Sequence, residues 1–274
     1  MSSDFHPRIL AANPAIGDRG NLHLYLPENA SGAVPFVFGI HGGSWSHGDQ
    51  TSYHFLWEIF RPLGIGLVLA SYRVAPEHPF PAAYDDLLVA LAWLKSEGDE
   101  QGLDTSRCLL FGASAGGHLA MLLATRAIAE DHPRPTFCGV AQYCGIMDLT
   151  AQEAGEETQG RRMTRNFLAT TSADNPELYR AASPLAHVHA NMPPVWMAHG
   201  SADVTVSFTQ SEAMVDRLRL GNQDVIFLEG RDLGHTMREI SASGKQVDDP
   251  AELLFERDLL RFVQRHTRST DADH

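Results

Sequence analysis

The chain has 274 residues, 43% of them hydrophobic and 20% charged, and a formal net charge of −13 at pH 7. That length fits one large α/β domain or two small ones and allows a substantial core. The acidic balance argues against nucleic acid or an anionic membrane surface as a partner, and no segment approaches the roughly 20 consecutive apolar residues of a membrane span.

Residues 1–10 show no charged region followed by an apolar run, so no secretory signal is expected. Leu22, Leu24 and Leu26 alternate with less apolar residues, as in an edge strand with one buried face. Short, nearly continuous apolar runs follow at Pro35–Ile40, Ile65–Ala70, Cys108–Gly112, Phe137–Tyr143, Val195–Ala198 and Val225–Leu228. Runs of this length, bounded by Gly, Pro or polar residues, suit strands buried on both faces of a mostly parallel sheet. Between them, Tyr84, Leu87, Leu88, Leu91 and Leu94 mark one face of a helix. Leu119–Ile128 reads as a deeply buried helix, Phe208–Leu220 as an amphipathic one stopped by Gly221, and Pro250 opens a final helix. The alternation predicts a single doubly wound, three-layer α/β domain over residues 1–274. Cys108, Cys138 and Cys144 fall in or beside these runs and read as buried free thiols, so a reducing, cytoplasmic setting is expected.

Leu149 to Ser183 interrupts the alternation. It is polar, contains Glu153, Glu156, Glu157, Arg161, Arg162 and Arg165, and is too long for a plain loop. Phe167, Leu168, Leu178 and Tyr179 give it apolar anchors, so it is expected to be a helical lid inserted at 149–183. The arginines read as a solvated helix face.

The chemistry centres on Gly112-Ala113-Ser114-Ala115-Gly116, which follows an apolar run and precedes an apolar helix. This is the context of a G-x-S-x-G nucleophile elbow, a turn so sharp that its serine is strained and its neighbours must be small. Serine needs a base, and histidine titrates in the right range. Of 14 histidines, His235 is placed best: it follows the last strand run and lies C-terminal to the other candidates, with Gly234 expected to make the tight turn that presents it. Asp203 is the carboxylate after the penultimate run. Alone it would read as a helix cap or Asx-turn residue. With Ser114 and His235 at matching strand ends it reads as the acid that orients the imidazole, with Glu229 and Asp232 as lesser alternatives. Ala115 N–H offers one donor to an oxyanion, and Gly43 and Ser44, in the loop His41-Gly42-Gly43-Ser44-Trp45, offer others. Gly42 is expected to make that turn and His41 to brace it. Trp45 is either a packing wedge or a pocket wall. Tyr143, Met147, Phe167 and Met237 are candidate walls.

With these motifs in place, the chain resembles the α/β-hydrolase superfamily, in the branch of hormone-sensitive-lipase-like esterases and acetylesterases. The resemblance extends from about Val34 to Phe262. It rests on HGGSW at 41–45, SYRVAPEHPFPAAYDD at 71–86, GASAGGHLA at 112–120, SPLAHV at 183–188, HGSADVTV at 199–206 and GH at 234–235. It implies an eight-stranded, mostly parallel sheet, a triad falling on Ser114, Asp203 and His235, and an oxyanion hole falling on Gly43, Ser44 and Ala115. Three departures stand out. Ser44 and Trp45 replace the usual third glycine and its neighbour, giving the HGG-x-W form of kynurenine formamidases. Ala113 replaces a common acidic residue. Only 40 residues precede His41, so the large N-terminal cap of the lipase-like group is not expected.

The expected activity is hydrolysis of a short-chain acyl ester through an acyl-enzyme, on a small-molecule substrate and without a cofactor. The rivals are cleavage of N-formylkynurenine by an arylformamidase and, from another class, a hydrolase-fold binding protein without turnover. The resemblance makes a homodimer reasonable. His187-x-His189 has a metal-like spacing, but lacks a nearby Cys or acidic partner, so no metal is expected.

Overall fold

The structure, a computed structural model, describes residues 6–28, 30–153, 158–235 and 250–268. Its strands are β1 (Arg8–Ala11), β2 (Asn21–Tyr25), β3 (Val34–Ile40), β4 (Gly66–Ala70), β5 (Leu103–Ala113), β6 (Phe137–Tyr143), β7 (Val195–Gly200) and β8 (Val225–Gly230). They form one sheet in the order β1-β2-β4-β3-β5-β6-β7-β8. β1–β2 and β2–β4 pair antiparallel, and every later pair is parallel. The helices are α1 (Leu56–Phe60), α2 (Ala82–Glu97), α3 (Ala115–Leu122), α4 (Leu149–Glu153), α5 (Gln159–Leu168), α6 (Pro176–Ala181), α7 (Thr209–Leu220) and α8 (Pro250–Thr267).

The apolar runs form strands because both faces of the parallel sheet are covered. In β3, Phe36, Phe38 and Ile40 pack into the core shared with α2, α3 and α7, while Val37 faces the opposite core with α1 and α8. β4 and β7 divide the same way: Val68 and Ala70 against Leu67 and Leu69, then Val195 and Met197 against Trp196 and Ala198. Period-two side chains buried on both sides leave no polar alternation to read, which is why these strands appear as continuous apolar runs.

One expectation needs correction at the N-terminal side. β2 is not the edge strand, because β1 pairs outside it. β1 is only four residues and mostly exposed, so it carries no alternation. The chain between β3 and β4 also holds α1, flanked by 3-10 turns at Gln50–Tyr53 and Arg61–Leu63. Five helical residues are too few to show a 3.6-residue period. Farther on, α7 does stop at Gly221, although Asn222 takes the left-handed conformation there (φ 54°). Residues 149–181 contain the three helices α4, α5 and α6; Glu156 and Glu157 lie outside the described residues. Among the described residues, no helix is long and apolar enough to cross a membrane.

Candidate active site

The site assembles at one edge of the sheet because β3 and β5–β8 run parallel and end together. Ser114 lies between β5 and α3 at φ 55°, ψ −124°, a strained conformation for a residue with a Cβ. Surrounding contacts hold it there. Its N–H donates to Tyr143 O at 2.8 Å, and its carbonyl accepts from His118 N at 2.9 Å. Ala115, buried, opens α3, so its N–H belongs to the positive end of that helix.

His235 reaches this turn from the loop after β8. Its Nε2 lies 3.0 Å from Ser114 Oγ, and its Nδ1 lies 2.6 Å from Asp203 Oδ2. Among the described residues Asp203, not Glu229 or Asp232, is the carboxylate bonded to this ring. The Asp203 Oδ1 accepts the backbone N–H groups of Thr205 and Val206, at 2.8 and 2.9 Å. Burial opposes the Asp203 charge, but bonds from His199 and His235 outweigh it and hold the carboxyl below its ordinary range. Burial likewise opposes a charged His235, and the bond to Asp203 raises its pKa above the ordinary histidine value. Such a chain can take a proton from the serine hydroxyl and stabilise the resulting imidazolium.

The loop after β3 turns through three residues in the left-handed region: Gly43 (φ 105°), Ser44 (φ 52°) and Trp45 (φ 57°). Gly42, the residue expected to make the turn, serves a close approach: a Cβ there would sit 2.8 Å from Ala113 O. His41 is a brace. Its Nε2 lies 3.1 Å from Ser71 Oγ, and its ring stacks on Tyr72 with centroids 4.4 Å apart. Burial pushes its pKa down to about 4, so the ring is uncharged at neutral pH. Arg19, which the motifs did not single out, donates to Gly48 O at 2.9 Å and Tyr72 O at 3.2 Å, fixing the far side of the loop.

Gly43, Ser44, Ser114 and His235 open onto a cleft of about 750 Å³. Tyr143 also borders it. Met147 and Phe167 do not, and these two expectations are corrected; Trp45, left open as wedge or wall, is the wedge. Trp45 is buried, stacked on Phe167 at 4.4 Å, and donates from Nε1 to His118 Nδ1 at 3.0 Å. It therefore wedges the β3 loop between α3 and α5. Met147 is fully buried, and its N–H donates to Gln210 Oε1 at 2.9 Å. Met237 lies outside the described residues. Walls that the sequence reading missed come from Tyr53, Phe55, Leu56 and Ile59 around α1, from Gln159 and Met163 of α5, and from Phe255 and Leu259 of α8. The closely spaced aromatic and aliphatic residues after HGGSW were the available signal for the first group.

Among the described residues, one set of three metal-type donors converges: Cys144 Sγ, an Asp203 carboxylate oxygen and a His235 ring nitrogen lie within 4.8 Å of one another. Two of these are already bonded together, and the Cys144 thiol donates to His235 O at 3.2 Å. His187 and His189 are occupied locally, by Ala181 O and Asn191 N respectively.

Similarity to known proteins agrees with this architecture. The BD-FAE family model matches residues 22–218. A "Probable carboxylic ester hydrolase LipM" of Mycobacterium tuberculosis is 31% identical over 211 residues, covering 73% of this chain and 48% of its own. "Esterase LipQ" of the same organism is 31% identical over 202 residues, covering 70% and 48%. The chain thus spans about half the length of the curated relatives it matches. A solved "Truncated form of carbohydrate esterase from gut microbiota" superposes with a TM-score of 0.80 at 16% identity, over 97% of this chain and 96% of that one, a likeness of fold. With the sheet order, the strained serine turn and the family match over residues 22–218, the chain belongs to the BD-FAE family and has the α/β-hydrolase fold.

Proposed function

We propose that the protein is a serine carboxylesterase acting on short-chain acyl esters. Ser114 attacks the ester carbonyl while His235 takes its proton. Asp203 holds the imidazole and stabilises its charged form. The N–H groups of Gly43, Ser44 and Ala115 receive the oxyanion, each donor being worth roughly 2.7–4 kcal/mol in the transition state. His235 then protonates the leaving alcohol, and water attacks the acyl-enzyme by the reverse path. The helices between 149 and 183 act as a lid whose α5 side walls the cleft.

The observation that carries this reading is the bonded chain Ser114–His235–Asp203, with spacings of 3.0 and 2.6 Å. The ester-hydrolase names of the relatives favour an ester over the formamide of N-formylkynurenine, which the same groups could cleave. Replacing Ser114 with Ala should reduce kcat on p-nitrophenyl acetate on the order of 10⁵-fold or more and leave the circular dichroism spectrum unchanged. Retained turnover in that variant refutes the assignment. Comparing kcat/KM across p-nitrophenyl esters of increasing acyl length, with N-formylkynurenine alongside, ranks the substrates. A preference for the formamide replaces the ester reading. Absence of labelling of Ser114 by a fluorophosphonate favours a binding protein.

A further inference from the structure

Asp203 is held by a second histidine that the mechanism above does not use. His199 lies in β7, four residues before Asp203, and is completely buried. Its Nε2 is 3.1 Å from Asp203 Oδ2 and 3.1 Å from Val206 O. Both are acceptors, so the ring hydrogen sits on Nε2 and is shared between them. Nδ1 is 2.7 Å from Ser211 Oγ in α7. That hydroxyl donates to Nδ1 and closes off the other tautomer. The Phe208 ring packs edge-on against the imidazole, with centroids 5.6 Å apart.

A carboxylate offers about four acceptor positions. On Asp203 all four are filled: Oδ1 by two backbone N–H groups, Oδ2 by His235 and His199. The two histidines share one oxygen, so a bond from either weakens the pull on the other.

We propose that His199, locked in one tautomer by Ser211, is a positioning residue for ester hydrolysis. It aims Asp203 Oδ2 at His235 and takes up part of the carboxylate charge, which sets how firmly Asp203 holds the His235 proton. The proposal rests on the Ser114–His235–Asp203 reading. Removing the His199 donor leaves the oxygen's full pull on His235, so the imidazolium is favoured and a higher pH is needed to free the base. Among the described residues, the titratable groups facing this pair are His199 from β7 and Cys144 from the end of β6, and Cys144 stays in place in every variant.

The test measures kcat/KM for p-nitrophenyl acetate and the rate of Ser114 labelling by a fluorophosphonate, both from pH 5 to 10. It compares the native protein with His199→Phe, His199→Asn and Ser211→Ala. His199→Phe is expected to lower kcat/KM on the order of 10-fold, mainly through kcat, and to move the acid limb up by about half a pH unit or more. His199→Asn, which keeps a side-chain N–H, should recover part of both. Ser211→Ala should move the limb the same way by less, and it carries the test if His199→Phe does not fold. Acid limbs that superimpose on the native one in both His199→Phe and Ser211→Ala would overturn the proposal. Failure of the native protein to label at Ser114 would instead overturn the reading beneath it.

Discussion

A Cβ placed on Gly116 would stand 2.1 Å from Ile40 O and 2.7 Å from His41 O. The first turn of α3 therefore presses directly against the backbone that leaves β3, and this contact joins the serine turn to the loop of Gly43 and Ser44. The same device recurs at the other end of the site. A Cβ on Gly200 would lie 2.2 Å from Leu233 O, so the end of β7 lets the His235 loop pack against it. Gly234 is different. It is not in the left-handed region, and a Cβ there would meet nothing within 4 Å; the left-handed residue of that loop is Asp232 (φ 61°). The sequence marked the right loop but credited its turn to the wrong residue, because a glycine signals permitted conformations and not the one adopted. Gly116→Ala and Gly200→Ala should each cost about 1–3 kcal/mol or more, since backbone atoms cannot yield as side chains do. Both should also lose most ester hydrolysis. Gly234→Ala should stay within about 0.5 kcal/mol of the native protein. Urea unfolding and initial rates on all three variants check this, and a Gly234→Ala protein as unstable as Gly116→Ala would contradict it.

The polar run between β6 and β7 becomes structure through a buried charge. Glu153, at the end of α4, is nearly inaccessible, accepts from Arg165 Nε of α5 at 2.8 Å, and accepts the Ser172 N–H from the turn before α6. One carboxylate thus ties α4 to α5 and to the turn that leads into α6. Sequence reading placed Arg165 on a solvated face because the pair is separated by 12 residues and spans two helices, beyond any i, i+4 rule. The apolar anchors were easier to see: Phe167, Leu168 and Tyr179 are all buried. That Phe167 seats on Trp45, and so leaves the cleft to Gln159 and Met163, depended on packing that no local pattern encodes. Burial opposes the Glu153 charge, but the Arg165 and Ser172 bonds prevail and lower its pKa to about 2. The folded value lies below the unfolded one, so the stabilisation is present above about pH 4.5 and is lost as pH falls through about 2. Glu153→Gln should destabilise the protein by about 1–3 kcal/mol at pH 7. The difference should shrink steadily below pH 4. Thermal unfolding across that range is the measurement, and a pH-independent difference would show that the charge is not what ties the helices. Because α5 walls the cleft, the variant should also raise KM more than it lowers kcat.

Six parallel strands, β3–β8, end at one edge, and this is why Ser114 and His235, 121 residues apart, were legible as a pair. In such a sheet any residue just after an apolar run arrives at the same edge, so chain order, joined to the G-x-S-x-G turn and the HGGSW loop, nominated Ser114, Asp203, His235 and Gly43–Ser44. No comparable rule locates walls, which here come from α1, α5 and α8 approaching from different layers. The whole molecule also bears on how the base titrates. Burial disfavours the His235 imidazolium, while Asp203 at 2.6 Å favours it and prevails, so its pKa is raised. A net charge of −13 adds a diffuse field of the same sign. In the proposed mechanism turnover requires the neutral ring, so activity should be lost as pH falls through the raised pKa and should increase toward alkaline pH. The acid limb of kcat/KM on an uncharged ester should therefore lie above 6.5. Added salt should lower it slightly by screening the diffuse part, leaving the Asp203 part in place. Asp203→Asn removes the local charge and leaves the burial. Its limb should drop below 6.5 while the rate falls on the order of 10³–10⁴-fold. A native limb at or below 6.5 would mean that burial outweighs Asp203. A limb that rises in Asp203→Asn would mean that some other group sets the proton affinity of His235.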